Sequence, residues 1–392
     1  MSSTNRSLSR RRFVQLASAA AGGLIAAPAV IARAQTVTTI KFGEIQSLTG
    51  PSAAYGIRAR DGSKMAVDAI NEAGGFDDGK GGRFKLAQVA ADMANDAKQA
   101  VTLLRQFALQ PDIVAVLGPT NSVGFAAMVS VAAQLNVLVV NNGSGVPIKK
   151  PSEWVYRVNP VATAAVPIFL RKVLEKEKFK RLAVIYDQTQ DAQAADAEVC
   201  RKMQSELKYE LVGDEAFRAG DQDFSAQISK IKAAKPDMIY VAGPTGEGVK
   251  VTSQIRAAGL PQPMMTGYAS FADPVYWDGS AGAVKGSYTW LAQDLKGASA
   301  KIKDWVARYN KKNELEATPF SIFGHESVYV LAEAIKRGGG AERAKMRAAL
   351  ASFDYVAPLD SAISFRNPPD GDNLKPSVTT VRITGRGEYE PV

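Results

Sequence analysis

Cysteine and histidine are almost absent from this chain of 392 residues, which contains one of each. The single cysteine, Cys200, cannot form an intrachain disulfide, so the fold must be stabilised by its hydrophobic core even in an oxidising compartment. The single histidine, His325, excludes a multi-histidine metal site and the His-Glu-x-x-His zinc motif. It lies in an apolar helical stretch, where a packing or capping role is expected. We therefore predict neither a metal site nor a cofactor.

The signatures of common enzymes are also missing. No G-x-S-x-G nucleophile elbow occurs, and Asn142-Gly143-Ser144-Gly145 has the wrong spacing for one. The segment 243–248 matches neither the G-x-G-x-x-G fingerprint nor the Walker motif. Asp187, Asp191 and Asp196 are expected to lie on a solvated helix surface, and nothing in the sequence singles out a glycosidase-type acid pair. We therefore predict no catalytic residues and do not expect an enzyme.

The first 34 residues contain arginines but no acidic residue. The segment 9–15 carries a twin-arginine pair, and the apolar stretch 16–31 that follows is too short and too weakly apolar for a stable membrane span. Ala32-Arg33-Ala34 then forms an A-x-A cleavage site. We predict a cleaved signal peptide of the twin-arginine type over residues 1–34, with an uncleaved anchor helix as the alternative. Because no cysteine lies near the cleavage site, we expect no lipid anchor and a soluble periplasmic product.

A strong excess of charge is missing from the predicted mature chain. The first 34 residues hold five of the 48 basic residues, so 43 remain against 39 acidic ones, a net charge of +4. Basic and acidic side chains alternate, as in Glu175-Lys176-Glu177-Lys178, and no basic tract marks a nucleic-acid surface. We predict no nucleic-acid partner.

The sequence does contain a regular alternation of short apolar runs and helical periodicity. Five runs are apolar on both faces, as is typical of parallel strands covered by helices, at residues 40–45, 113–118, 137–140, 182–186 and 238–243. Helical periodicity is found at residues 55–73, 97–109, 122–135, 164–177, 192–207, 225–234, 247–258, 300–311, 322–337 and 341–351. Alternation of strand and helix predicts an α/β fold with doubly wound sheets.

The predicted mature chain is long enough for two lobes of ordinary domain size. A new series of strand–helix units starts after residues 156–160, and further helical stretches follow residue 291. We predict two Rossmann-like lobes joined by a hinge. Lobe one would comprise residues 35–158 plus 291–355, and lobe two residues 159–290 plus 356–392.

Two predicted strand-to-helix junctions are rich in small and hydroxyl residues. The first contains Thr120, Asn121 and Ser122, and the second contains Gly143, Ser144 and Gly145. Ligands of open α/β sheets bind beyond the carboxyl ends of the strands, near helix N-termini. We expect these junctions to offer neutral hydrogen-bond donors to an anion. Alternatively, Thr120 or Ser122 caps its helix, which is compatible with binding.

Several segments, taken in order, resemble one known family. They span residues 40–56, 66–75, 90–92, the Gly118 loop, 182–187, 223–225 and 254–260. These segments are similar to the leucine/isoleucine/valine-binding proteins, which are type I periplasmic solute-binding proteins of ABC transporters. The resemblance covers nearly the whole predicted mature chain. It implies the type I periplasmic binding protein fold and specifies the family but not the ligand.

The resemblance also implies site residues in lobe one. The family's aromatic wall falls on Tyr55, and its carboxylate-binding serine falls on Ser122. The next loop, which contacts the same carboxylate, falls on Gly143, Ser144 and Gly145, with the hydroxyl displaced by one position. These matches favour a ligand that bears a carboxylate.

Lobe two departs from the pattern of the amino-acid binders. Asp191 stands where they have a tyrosine, their next aromatic contact falls near Pro244 and Thr245, and the acid that pairs with the ligand ammonium falls on Tyr268. Without that acid a buried ammonium would be unpaired, which is costly. If Asp191 replaces it, an amino acid remains a candidate. If Asp191 faces solvent, an aromatic or aliphatic acid without an amine is favoured.

The resemblance implies a monomeric receptor that closes around its ligand and delivers it to a cognate ABC permease in the inner membrane. Two other functions stay open on the sequence alone. They are an exported hydrolase that acts through carboxylates and a sensing subunit of a membrane signalling protein.

Overall fold

The structure is a computed structural model that describes residues 37–50, 52–77, 82–146, 148, 152–218, 220–243, 245–268, 270–297, 299–366 and 371–392. The predicted signal peptide lies outside the described residues. Residues Val37–Val392 form one compact unit. Within the described ranges, no helix is long and apolar enough to cross a membrane.

The first large sheet has six strands in the order β2-β3-β1-β4-β5-β6. They are β1 (Val37–Gln46), β2 (Phe76–Asp77), β3 (Arg83–Asp92), β4 (Ile113–Leu117), β5 (Val139–Asn141) and β6 (Val155–Arg157). The pairs are parallel except for β2 with β3. This sheet therefore has the parallel core that the alternating pattern predicts.

The second large sheet has seven strands in the order β15-β14-β11-β10-β9-β7-β8. They are β7 (Arg181–Asp187), β8 (Glu210–Phe217), β9 (Met238–Ala242), β10 (Met264–Thr266), β11 (Tyr288–Leu291), β14 (Thr379–Gly385) and β15 (Glu388–Pro391). Strands β12 (Ser352–Val356) and β13 (Ala362–Arg366) form a separate antiparallel hairpin. Within the second sheet, β14 pairs antiparallel with both β11 and β15, and the pairs among β7 to β11 are parallel.

Helices follow the parallel strands and cover the sheets. They are α1 (Ala53–Glu72), α2 (Ala97–Ala108), α3 (Ser122–Ala132), α4 (Ala162–Glu177), α5 (Asp191–Lys202), α6 (Gln204–Leu207), α7 (Ser225–Ala234), α8 (Thr245–Ala257), α9 (Pro274–Gly279), α10 (Ala300–Lys312), α11 (Pro319–Gly338) and α12 (Arg343–Leu350). A short 3₁₀ helix, Ser270–Ala272, precedes α9. The predicted α/β class with two doubly wound sheets is confirmed.

Residues 37–157 build the first sheet, and residues 181–291 with 379–391 build the second. The β12–β13 hairpin spans the predicted boundary at 355/356. The exact lobe boundaries stay a prediction.

Helix α11 packs closely on α1 because both helices carry glycine at the contact. A Cβ at Gly62 would overlap the carbonyl oxygen of Ser321, and a Cβ at Gly324 would overlap the carbonyl oxygen of Ala59. Most residues of α11 are buried, including His325. The ring of His325 lies 5.2 Å from Trp305 and 4.9 Å from Tyr329, which agrees with the packing role expected from the sequence.

Candidate functional site

The two predicted anion-binding junctions lie side by side because β4 and β5 are neighbouring parallel strands. The hydroxyl of Ser144 donates a hydrogen bond to the hydroxyl of Ser122 over 3.1 Å. A Cβ at Gly143 would lie 2.8 Å from Cγ2 of Thr120, so these residues are in contact. Thr120 and Ser144 are buried, and Oγ1 of Thr120 has no hydrogen-bond partner within the described part of the chain.

The cap of helix α3 is Asn121. Its Oδ1 accepts a hydrogen bond from the backbone N–H of Gly124 over 2.9 Å, and its Nδ2 donates to Oδ1 of Asn95 over 2.6 Å. The alternative in which Thr120 or Ser122 caps the helix is therefore wrong. The hydroxyl of Ser122 is not used for capping and instead contacts Ser144.

A buried polar network lies beneath the first junction. Oε1 of Gln46 accepts the N–H of Thr120 over 2.9 Å. Nε2 of Gln46 donates to Oε1 of Glu44 over 3.0 Å and to Oδ1 of Asn142 over 3.1 Å. Desolvation by burial raises the pKa of Glu44, against the hydrogen bonds that lower it. This network fixes the backbone of the Thr120 junction relative to β1.

The second junction is held by the guanidinium of Arg157, which is fully buried. Its Nη1 donates to the carbonyl oxygens of Ser144 and Val146 over 2.8 and 2.6 Å. Its Nε pairs with Oδ1 of Asp372 over 2.7 Å. A bidentate planar donor of this kind fixes a loop more precisely than a single point charge does.

A cavity of about 210 Å³ lies between these junctions and the second sheet. It is lined by Gly143, Gly145, Asn159, Pro160, Ala162, Ala192, Gln193, Asp196, Ala242, Gly243, Thr266, Gly267, Tyr268, Ser270, Trp290 and Phe323. The residues of the second sheet come from the carboxyl ends of β9 and β10 and from the helix after β7. These three strands are neighbours, and ligands of open α/β sheets bind at such an edge.

Asp196 is the acidic residue of the cavity wall. Its side chain is buried, and Oδ2 accepts a hydrogen bond from the hydroxyl of Tyr240 over 3.1 Å. Desolvation raises the pKa of Asp196 to about 7, although the hydrogen bond from Tyr240 opposes that shift. The expectation that Asp187 and Asp196 are solvated is wrong, because both are buried. Asp187 ends strand β7 within the sheet, and α5, which carries Asp196, packs on β7 and β9. Asp191, by contrast, is exposed at the start of α5 and does not line the cavity.

Tyr268 lies at the centre of an aromatic cluster. Its ring centroid is 4.9 Å from that of Trp290, 6.2 Å from Phe320 and 6.4 Å from Phe323. Tyr55 joins the same cluster through Phe320, at 4.8 Å, but is 46% exposed. Tyr55 and Tyr268 both line a second cavity of about 620 Å³. Burial raises the pKa of the Tyr268 hydroxyl, which stays neutral.

Three buried polar atoms in the wall of the smaller cavity have no hydrogen-bond partner among the described residues. They are Oδ1 of Asn159, the hydroxyl of Tyr268 and Nε1 of Trp290. Buried polar groups normally have partners, so these three atoms are exceptions within the wall of the cavity.

The remaining predicted residues contribute less to this geometry. Pro244 lies outside the described residues. Thr245 is the first residue of α8, after the cavity residue Gly243. No group of three or more His, Cys, Asp or Glu side chains that could hold a metal ion occurs in the described ranges.

A family model described as periplasmic binding protein matches residues 39–387. The chain belongs to the periplasmic binding protein family. A Leu/Ile/Val-binding protein homologue from Brucella melitensis is 30% identical over 310 residues, which are 77% of this chain and 80% of that protein. The leucine-, isoleucine-, valine-, threonine- and alanine-binding protein of Pseudomonas aeruginosa is 26% identical over 325 residues, 82% of this chain and 84% of that one.

Solved structures of other periplasmic binding proteins have the same fold. LivJ from Streptococcus pneumoniae, in complex with isoleucine, is 26% identical, with a TM-score of 0.71 over 90% of this chain and 99% of that one. A solute-binding protein from R. palustris in complex with benzoate is 19% identical, with a TM-score of 0.70 over 90% and 95% of the two chains. The second likeness shows the fold alone. The predicted family, type I fold and function as a solute-binding protein of the branched-chain amino acid transporter type are confirmed.

Among the cavity residues of this periplasmic binding protein that sequence reasoning missed are Asn159, Asp196, Trp290 and Phe323. Asn159 and Trp290 lie at two of the three predicted crossings between the lobes, at 158/159 and 290/291. Chain segments that cross between two lobes line the cleft between them. The positions of Asn159 and Trp290 at predicted crossings could therefore have identified both residues. Asp196 and Phe323 lie inside helices, where nothing in the linear pattern marks them.

Proposed function

We propose that this chain is the binding component of an ABC uptake transporter and holds a small carboxylate-bearing solute in the cleft between its lobes. The observation that carries the proposal is the hydrogen bond between Ser122 and Ser144. It lies beside Gly143 and Gly145, which line the cavity. Hydroxyl and backbone dipoles suit a carboxylate because they bind negative charge without a formal positive partner. Each charge-assisted hydrogen bond of this kind contributes about 1.5–3 kcal/mol.

The second lobe would cover the rest of the ligand. Tyr268 and Trp290 offer aromatic surface and Asp196 offers a hydrogen-bond acceptor from that lobe, while Phe323 adds an aromatic ring from α11 of the predicted first lobe. Isoleucine in the pneumococcal relative and benzoate in the R. palustris protein are both small acids with an apolar body. An amino acid and an aromatic or aliphatic acid are therefore the two ligand types to compare. Hinge closure of the two lobes would bury the ligand and create the form that the permease recognises.

The remaining features of the proposal follow from the sequence. Residues 1–34 have the pattern of a twin-arginine signal, which would deliver a folded protein to the periplasm. The cognate partner would be a permease in the inner membrane, and a monomer suits a receptor that must hinge freely. We assign no catalytic role to the site and no cofactor.

The decisive experiment combines native mass spectrometry of the purified protein with a thermal-shift screen of small acids that includes leucine, isoleucine and benzoate. We expect a copurified small acid, and an increase in melting temperature with an acid that is recovered chemically intact. Recovery of a converted product would instead indicate an enzyme. Absence of stabilisation by any acid would contradict the proposed ligand class.

A further inference from the structure

Asp196 faces the cavity from the lobe opposite the Ser122–Ser144 pair. It follows Ala192 by one turn of α5, and a Cβ at Gly145 would lie 3.9 Å from Cβ of Ala192. Residues four apart lie on the same face of a helix, about 5–6 Å from each other. The Asp196 carboxylate is therefore roughly one helical turn from the loop proposed to bind the ligand's carboxylate.

The carboxylate of Asp196 has no cationic partner in the described ranges. None of the ion pairs there involves it, and the hydroxyl of Tyr240, a neutral group, supplies its one side-chain hydrogen bond. Burying an ionised carboxylate without a positive partner is energetically unfavourable, and Asp196 is such a group in the wall of the cavity. A positively charged group of a ligand beside Asp196 would offset this unfavourable free energy.

The surrounding residues make room for this carboxylate in the cavity wall. A Cβ at Gly267 would overlap Oδ2 of Asp196, so glycine at the end of β10 is what allows the acid to lie there. Gln193, one turn before Ala197 on the same helix, and Thr266 at the end of β10 line the same cavity beside Asp196. An acidic acceptor in the cavity wall suits an ammonium group, which has three N–H donors and no acceptor.

We propose that Asp196 is a specificity-determining residue that accepts the protonated amine of a small amino acid whose carboxylate is bound by Ser122 and the loop of residues 143–145. This inference rests on the proposed function and restricts the ligand class from small acids to small amino acids. The short distance between Asp196 and that loop requires the amine and the carboxylate to lie a few ångströms apart, as they do in an α-amino acid. The ammonium partner would then come from helix α5.

Proton release is a second consequence of this pairing. The titratable groups that face Asp196 are Tyr240 on β9 and Cys200 on its own helix, and burial raises the pKa of both, so they stay neutral. The empty protein binds a proton at Asp196 with a pKa of about 7. An ammonium stabilises the ionised carboxylate, so ligand binding at pH 7 should release about half a proton. Affinity should decrease about tenfold per pH unit below about pH 6.

The test compares three probes that differ only in the donor: leucine, 2-hydroxy-4-methylpentanoate and 4-methylpentanoate, with benzoate as a fourth acid. Calorimetry of the whole protein would measure affinity, and two buffers of different ionisation enthalpy would measure proton release. We expect leucine to bind at least about 100-fold more tightly than 4-methylpentanoate. Asp196→Asn should weaken leucine binding about 30-fold or more, abolish proton release and change binding of 4-methylpentanoate less than about threefold.

Glu198→Gln is the matched control, because Glu198 is an exposed carboxylate on the same helix. It should leave the preference for leucine and the proton release unchanged. If 4-methylpentanoate or benzoate binds the wild-type protein as tightly as leucine, or if Asp196→Asn keeps the preference, this inference is overturned while the proposed binding of small acids stands. If none of the four acids binds, the proposed function fails together with it. Circular dichroism of both variants separates loss of binding from loss of folding.

Discussion

The hydroxyls of Ser122 and Ser144 are joined by a hydrogen bond of 3.1 Å that links the loops after two adjacent strands, β4 and β5. A hydroxyl can donate one hydrogen bond and accept two, so the Ser122 hydroxyl can bind a further group while it contacts Ser144. Ser144 is buried beneath Ser122, which is only partly buried. The pair therefore presents Ser122 as the hydroxyl that can meet a ligand.

Replacement of Ser122 by alanine tests this arrangement. If Ser122 donates to the ligand's carboxylate, Ser122→Ala should weaken binding of the best small acid by about 1–3 kcal/mol. Isothermal calorimetry would measure the change. Ser130→Ala, an exposed position on the same helix, should leave affinity unchanged. Equal affinities of both variants and the wild type would remove Ser122 from the site.

The raised pKa of Asp196 predicts an unusual pH dependence of stability. The carboxyl titrates near pH 7 in the folded protein, against an ordinary value of 3.8. Between these values the folded state holds a proton that the unfolded state has lost, so the free energy of unfolding should decrease as pH rises, by up to about 1.4 kcal/mol per unit. Above about pH 7 this contribution levels off, because both states are then ionised.

Asp196→Asn isolates this contribution from those of the other acids. The variant lacks the titration, so it should gain stability relative to the wild type as pH rises from about 4 to about 7, and the gain should then stay constant. Urea unfolding of both unliganded proteins at about pH 4.5, 6 and 8 would measure it. A difference between the two proteins that does not change with pH would contradict a buried acid at this position.

The parallel core of the fold was predictable because its strands are apolar on both faces. All residues of β9 are buried, as are four of the five residues of β4, so neither strand has a polar face that would weaken the signal. Strand β3 was missed because it has a single buried residue, with the rest partly or fully exposed. The antiparallel β15 has no buried residue, and β14 has three among seven, so neither forms a continuous apolar run.

The candidate site was likewise predictable only in part. The pairing of the Thr120 and Ser144 junctions was predictable because parallel strands place their carboxyl ends at one edge. The role of Asp196 was not predictable, because its burial depends on contacts with Tyr240 and Gly267, which are 44 and 71 positions away in the sequence. An acid on a helix is ordinarily solvated, and only tertiary packing reverses that expectation.

Gly267 should be needed for the burial of Asp196. A methyl group there would overlap Oδ2 of Asp196, so Gly267→Ala should destabilise the protein by about 1–3 kcal/mol. In an Asp196→Ala background the overlapping carboxylate is gone, and the same substitution should cost at least about 1 kcal/mol less. Denaturant unfolding of the four proteins would measure this coupling.

Gly246→Ala is the control, because Gly246 has open space around it and should tolerate a methyl group. Equal costs in the two backgrounds would argue against the contact.

Arg157 should matter for binding although it does not line the cavity. Its guanidinium holds the carbonyl oxygens of Ser144 and Val146 while pairing with Asp372, and a lysine ammonium cannot reach all three groups in the same plane. Arg157→Lys should therefore lower stability by about 1–3 kcal/mol and weaken ligand binding about tenfold, through a looser loop at residues 143–145. Calorimetry and urea unfolding would measure the two effects, with the exposed Arg105→Lys as the control. Lost stability with unchanged affinity would mean that the loop keeps its binding geometry without the guanidinium.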